Sequence, residues 1–459
     1  MARRVVISGI GAVSGLGVGA LPLWDALCAG RSGLRPITRF DPGGFKSRLG
    51  AGLDNFSARD YVPKHYRKAV KVMARDVELA VAAAKEAVED AGLITRAALD
   101  IEADPAAAEK TTIPAARLGC HIGAGLISAD ADELAAAMTT ARAFGPSGAF
   151  DIVKWGASGM ENLTPLWMLK YLPNMVSCHV TIIHGACGPS NTITCAEASG
   201  LLSIGESLRV IERGDADLCF SGGAESKLNL MGLMRMEFTG RLADTTKFPG
   251  VTDGSAIVKP FDASSPGALL GEGAGIVLLE AHESATKRGA KIYAELVGFG
   301  GAHSPPRPNY PGQSGAPRDF DYSTPDEGFQ FAIENALQDA GLAPGDIDAA
   351  VVLGSGSPAM DLGEAGALAA VFGAGVRDLP LVTIGPNIGN CMAAVGGLMA
   401  CVGALVMREQ RLPARLNAGT PVLGLRAGAA SQVAADIEHL LVATSSLGGQ
   451  NAALVLKRV

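Results

Sequence analysis

The sequence predicts an α/β protein made of two duplicated halves, on three observations. Segments of the first half recur in the same order in the second. Each half alternates apolar, strand-like runs with amphipathic helices, and glycines gather where the apolar runs end. Strands alternating with helices are the pattern of a mixed or parallel sheet covered on both faces. The composition suits it: 459 residues, 48% hydrophobic and 19% charged, are enough for a large core. Fifty-nine glycines with only 5% aromatics favour close packing of helices on sheets.

The elements are justified in chain order. Residues 1–24 set Arg3 and Arg4 before an apolar run, as a signal peptide would. Gly9, Gly11, Gly15, Gly17 and Gly19 break that run and no cleavage site follows, so a buried strand entering a glycine loop is the reading. This strand, VVISGIGAVS (5–14), has a partner in AELVGFGGAHS (294–304). AVEDAGL (87–93) recurs as ALQDAGL (336–342), each closing an amphipathic helix. RLGCHIGAG (117–125) matches AAVVLGSGS (349–357), and GPSNTITCAEASG (188–200) matches GPNIGNCMAAVGG (385–397). DADLCFSGGAE (215–225) and HLLVATSSLGGQNA (439–452) complete the set. The charged stretch EAHESATKRGAK (280–291) separates the halves, giving domains 1–284 and 285–459. The Pro/Gly-rich segment 304–321 reads as a surface insertion or lid. The uncharged run 391–407 is at the lower limit for spanning a bilayer, but its glycines point to helix packing inside a protein. No membrane anchor is expected.

A net charge of −7 argues against general nucleic-acid binding. The eight cysteines form no CxxC pair and no cluster with histidine at metal-ligand spacing, so no metal is expected. Reduced, mostly buried thiols in a cytoplasmic protein are the expectation. Glycine runs GLGVG (15–19) and GEGAG (271–275) lack the context of a dinucleotide fingerprint, and no cofactor is implied.

The opening RRVVISGIGAVSGLG, then WDALCAGRSGLRPITRFD, PNMVSCHVTIIHGACGPSNTIT, RGDADLCFSGGAE, LLGEGAGIVLLE, KRGAKIYAELVGFG and the closing GGQN together resemble β-ketoacyl-ACP synthases of the synthase II type. The resemblance spans nearly the whole chain. It implies a thiolase-like, five-layered αβαβα fold, normally dimeric, with NTITCA (191–196) as the strand that pairs across the two-fold axis.

The resemblance also locates the family's catalytic positions, and there the sequence departs from the pattern. Glu197 stands where the family has its nucleophilic Cys; Cys195 lies two residues earlier, in the expected strand. Leu353 and Asn390 replace the two His residues, and Gly385 replaces the Lys of the second motif. Asp361 and Glu364 match the family's acidic pair, with Glu364 deprived of its Lys partner. Ser445 and Leu447 take the places of the gating phenylalanines. Of seven histidines, none occupies a motif position; His184 and His303 are the nearest to the expected cavity, each with the plain reading of a satisfied surface or interface residue.

Condensation in the family needs a thiolate to hold the acyl chain and two imidazoles to stabilise the enolate. Losing all three leaves binding. For Glu197 two effects compete. A helix N-terminus favours the carboxylate by roughly 0.3–2 kcal/mol, while burial can raise a carboxyl pKa by about 3–5. A neutral Glu197 would resemble the Gln of chain-length factors, inactive relatives that pair with an active synthase and shape its acyl tunnel. An ionised one could take an acyl group as an anhydride. The leading expectation is a chain-length-factor-like, non-condensing subunit paired with an active synthase. The alternatives are an acyltransferase, thioesterase or decarboxylase working through Glu197, and a homodimeric acyl-binding scaffold.

A carrier-protein partner is expected from PKHYRKAVKVMAR (63–75), read as one helix with Lys64, Arg67, Lys68 and Lys71 on one face. The plain alternative is a solvated helix face. The resemblance places these residues where the family docks acyl carrier protein, puts Arg241 near another docking position, and sets Ser355 and Ser357 where family threonines hold the phosphopantetheine arm.

Overall fold

The computed structural model describes residues 3–99, 109–142, 148–304 and 325–459. The first-half strands are β1 (Val5–Ser14), β2 (Leu118–Ala124), β3 (Ser190–Ile193), β4 (Leu218–Ser226) and β5 (Leu270–Ala281). Those of the second half are β6 (Ala294–His303), β7 (Ala349–Val352), β8 (Leu381–Val382), β9 (His439–Thr444) and β10 (Gln450–Lys457). The sheet runs β8-β7-β9-β10-β6-β1-β5-β4-β2-β3. The repeated segments occupy mirrored places in that order. β1–β5 and β6–β10 are antiparallel, as are β4–β5 and β9–β10. β2 is parallel to β4 and β3, and β7 is parallel to β9 and β8. Antiparallel pairing of Val6 with Glu295 and Ile7 with Ala294 joins the halves.

The helices that position the site are α1 (Arg75–Asp90), α2 (Met175–His184), α3 (Ser199–Glu212), α4 (Glu327–Ala340), α5 (Pro358–Phe372) and α6 (Val395–Glu409). α1 covers β1, β4 and β5, while α4 covers β6 and β10. α3 and α6 pack on each other and on strands of both halves, which makes them the middle layer of an α/β/α/β/α stack. The thiolase-like architecture expected from the resemblance is the one observed. α6 is buried from Val395 to Met407, as a helix apolar on all sides must be; the run 391–407 is core. A Cβ on Gly397 would lie 2.1 Å from the carbonyl oxygen of Gly275, so glycine there lets helix and strand touch backbone to backbone. β1 is buried along its whole length.

Two sequence expectations change. Residues 63–75 are not one helix but two short 3-10 turns, Lys64–Tyr66 and Ala69–Val72. Met73 and Ala74 are buried in extended backbone before α1 starts at Arg75. Anchoring those two side chains in the core breaks the helical path. Lys64, Arg67, Lys68 and Lys71 remain exposed, but not at helical i, i+3, i+4, i+7 spacing. The expected strand 191–196 is shorter, Ser190–Ile193, and leaves Cys195 beyond its end. Residues 305–321 of the expected insertion lie outside the described residues.

Asp76, in the first turn of α1, is buried and accepts a hydrogen bond from Ser226 N at 3.3 Å. Burial pushes its carboxyl up to about 7, against the pull of the Lys227 cation. The folded protein therefore holds a proton there that the unfolded chain releases near 3.8. That contribution is complete below the unfolded value and is lost as pH rises through about 7. Asp76→Asn should accordingly stabilise the protein more at pH 8 than at pH 5. The difference should be roughly 2–3 kcal/mol in denaturant unfolding. An equal effect at both pH values would refute the buried-acid reading.

Candidate active site

The site is built where β3 ends and α3 begins. Cys195, Ala196 and Glu197 form a tight turn, with Ala196 at a left-handed φ of 47°. The duplicated segment repeats the geometry, with Met392 at φ 50° in the turn before α6. Non-glycine residues adopt this region at a cost, which the surrounding packing must sustain. The turn delivers Glu197 into the interior, fully buried.

Three donors close on its carboxylate. Arg241 Nη2 donates to Oε1 at 2.6 Å, Asn390 Nδ2 donates to the same oxygen at 3.0 Å, and the backbone N–H of Leu447 donates to Oε2 at 3.1 Å. Arg241 Nη2 also lies against Met360 Sδ. Asn390 is held in turn by accepting from Met392 N at 2.9 Å. Burial pushes the Glu197 carboxyl up, but the Arg241 charge and the Arg241 and Asn390 hydrogen bonds outweigh it. The group ends below its ordinary value, and is a carboxylate at neutral pH.

The neighbouring acids behave oppositely. Glu364 accepts from Leu353 N at 3.1 Å and Gly354 N at 3.3 Å. Burial, with the Asp361 charge nearby, holds its carboxyl well above the usual range. A Cβ on Gly385 would meet only Gly354 O, at 3.4 Å, so glycine there leaves open space. Asp361 accepts from Phe261 N and Gly356 N, both at 2.9 Å, and from Ser355 Oγ at 3.1 Å. Its pKa rises to about 6 through burial.

Glu197, Asn390 and Leu447 are thus brought into contact. Leu353 lies in the same apolar core as Met360 and Ala198 and touches Glu364 through its backbone. Ser445 is buried, and its hydroxyl meets no partner among the described residues. Ser355 and Ser357 are buried beside Asp361, with Ser355 Oγ accepting from Ser357 N. Neither histidine singled out earlier reaches Glu197. His184 is buried against Thr95, its Nδ1 2.9 Å from Thr95 Oγ1, while His303 is exposed at the end of β6.

Arg241 requires a correction. It was expected at the carrier-docking surface, yet only 3% of it is exposed. A buried carboxylate needs a cation, and Arg241 is the one Glu197 found. That requirement was the sequence-level signal for it.

The model of the β-ketoacyl synthase N-terminal domain matches residues 2–285, and that of the C-terminal domain matches residues 312–419. The chain is 30% identical over 458 residues to 3-oxoacyl-[acyl-carrier-protein] synthase 2 of Staphylococcus aureus (strain COL), covering 99% of this chain and 98% of the relative. Among solved structures it is similar to the ishigamide ketosynthase/chain length factor, with a TM-score of 0.77 and 27% identity. A β-ketoacyl synthase from Burkholderia phymatum STM815 gives a TM-score of 0.78 and 25% identity. In both cases each chain is covered in full.

Proposed function

The chain belongs to the β-ketoacyl synthase family of fatty acid and polyketide synthesis, and on that premise we propose that it is a non-condensing subunit, similar to a chain-length factor, that pairs with an active synthase. The observation that carries this reading is the Glu197 carboxylate. It stands where the family has its thiol, buried, ionised and bound through both oxygens. No thioester forms on it, and Leu353 and Asn390 offer no imidazole to an enolate. The same three donors withdraw electron density from both oxygens, which argues against acyl transfer, hydrolysis or decarboxylation through Glu197.

Pairing is supported by β3, which ends the sheet with Ser190 and Asn191 exposed. An open edge strand is a template for a partner strand, in a heterodimer or a homodimeric scaffold alike. The similar ishigamide structure is a ketosynthase/chain length factor, which favours the heterodimer. Acyl carrier protein docking rests on the exposed Lys64, Arg67, Lys68 and Lys71, without Arg241. For a pantetheine arm to be held by Ser355, it would compete with Asp361 for that hydroxyl. Action in the cytoplasm, beside a synthase, completes the reading.

The test is co-expression with an intact synthase from the source organism, followed by native mass spectrometry. A 1:1 complex is expected. A stable homodimer that ignores that synthase would overturn the heterodimer. Turnover of acyl or malonyl thioesters abolished by Glu197→Gln would replace it with an enzyme.

A further inference from the structure

A second candidate site lies away from Glu197, at the opposite end of β2. Leu118, its first residue, helps line a surface cavity of about 630 Å³. The six steps to Ala124 span about 20 Å at roughly 3.3 Å per residue, so this site is independent of Glu197. The volume falls within the ligand-pocket range of about 300–1,000 Å³.

The lining is built in two zones. Leu93, Ile113 and Leu118 are buried and apolar, and Thr95 with His184 closes the floor. The His184 ring rests on Phe220, centroids 4.9 Å apart, and its Nδ1 is held by the Thr95 hydroxyl. Burial pushes this imidazole down to about 3, so the floor is uncharged at neutral pH. On the rim, Arg96 is exposed with its aliphatic stem lying over Gly185. Among the described residues no carboxylate lies within ion-pair distance of its guanidinium. Glu109 shares the rim and opposes any second negative charge on a ligand.

We propose that this cavity binds a small amphipathic monocarboxylate, its apolar body on the Leu93–Ile113–Leu118 floor and its carboxylate at Arg96. Long hydrocarbon bodies gain from the floor by burying apolar area. One charge is matched by Arg96, whereas a dianion meets Glu109.

Cys187 provides the reporter, because it lines the cavity and is exposed, while the other cysteines are buried or half-buried. The whole chain would be alkylated with N-ethylmaleimide in the presence of decanoate or decanol, and each cysteine followed by peptide mass spectrometry. Decanoate is expected to slow Cys187 alkylation saturably while leaving Cys28 and Cys178 unchanged. Decanol should protect at higher concentration. Arg96→Ala should weaken decanoate by up to about fivefold, the upper end for a rim ion pair, and leave decanol unaffected. A Cys187 that does not react without ligand would overturn the proposal, because the cavity would then be closed in the protein. So would absence of protection, or decanoate protection that Arg96→Ala does not change.

Discussion

Arg241→Ala is expected to destabilise the protein by about 3–5 kcal/mol, the cost of leaving a buried charge without its partner. Glu197 is fully buried, and its ion pair with Arg241 is 2.6 Å long. Removing the guanidinium leaves Asn390 and the Leu447 N–H as its donors, and neither carries charge. The carboxyl would then rise in pKa and take up a proton. The pair itself is a different matter. Arg241 Nε and Nη1 meet no acceptor among the described residues, so desolvation of the guanidinium is only partly offset. The double variant Glu197→Gln/Arg241→Met should therefore come back to within about 1 kcal/mol of the parent, or exceed it. Denaturant midpoints for both singles and the double close the cycle. A loss below about 1 kcal/mol in Arg241→Ala would mean the pair is not buried in solution. The pH dependence has a defined sign. A carboxyl held below its ordinary 4.5 stabilises the fold above that value, and the contribution is lost as pH falls through its depressed pKa. Glu197→Gln should flatten the acid limb of the stability profile.

Glu197→Cys is expected to restore a reactive nucleophile without restoring condensation. The new thiol would stand beside Arg241, whose charge favours the thiolate, so its thiolate absorbance should develop at lower pH than that of the other buried cysteines. Chain extension needs more than the thiolate. On the proposed reading Leu353 and Asn390 stand in place of imidazoles and supply no enolate stabilisation, and removal of such a group from a cooperating set costs on the order of 10⁴-fold or more. Ketoacyl product should stay undetectable from acyl and malonyl thioesters, although acylation of the thiol itself is measurable by intact-protein mass. Adding Leu353→His and Asn390→His tests the argument in the other direction. Product from the single variant at a rate within about tenfold of the triple variant's would overturn the assignment of the imidazole role to positions 353 and 390.

Arg241→Ala tests whether Glu197 is locked in place, and Glu197→Cys tests whether a thiol at position 197 suffices for condensation. A protein that passes both has a site built to hold a carboxylate, not an acyl group.

The duplication is legible in the sequence because strand and helix patterns are local. Apolar runs ending in glycine, repeated in order, require no knowledge of what packs on them, and the mirrored strand order follows. Glu197, Leu353 and Asn390, where the resemblance puts the family's Cys and two His, are legible for the same reason, since each sits in a contiguous motif. The basic residues at 63–75 are readable as exposed, but not their geometry, because core burial of Met73 and Ala74 overrides the helical spacing. The state of Glu197 is the clearest case of what only the tertiary structure decided. Its three donors come from positions 44, 193 and 250 residues away. Burial and ion pairing act in opposite directions on a carboxyl, and no local pattern says which wins. By itself the sequence determined the fold and, through the resemblance, pointed to positions 197, 353 and 390. Tertiary packing determined that Arg241 lies inside rather than on the docking surface, and its charge at 2.6 Å outweighs desolvation and keeps Glu197 ionised.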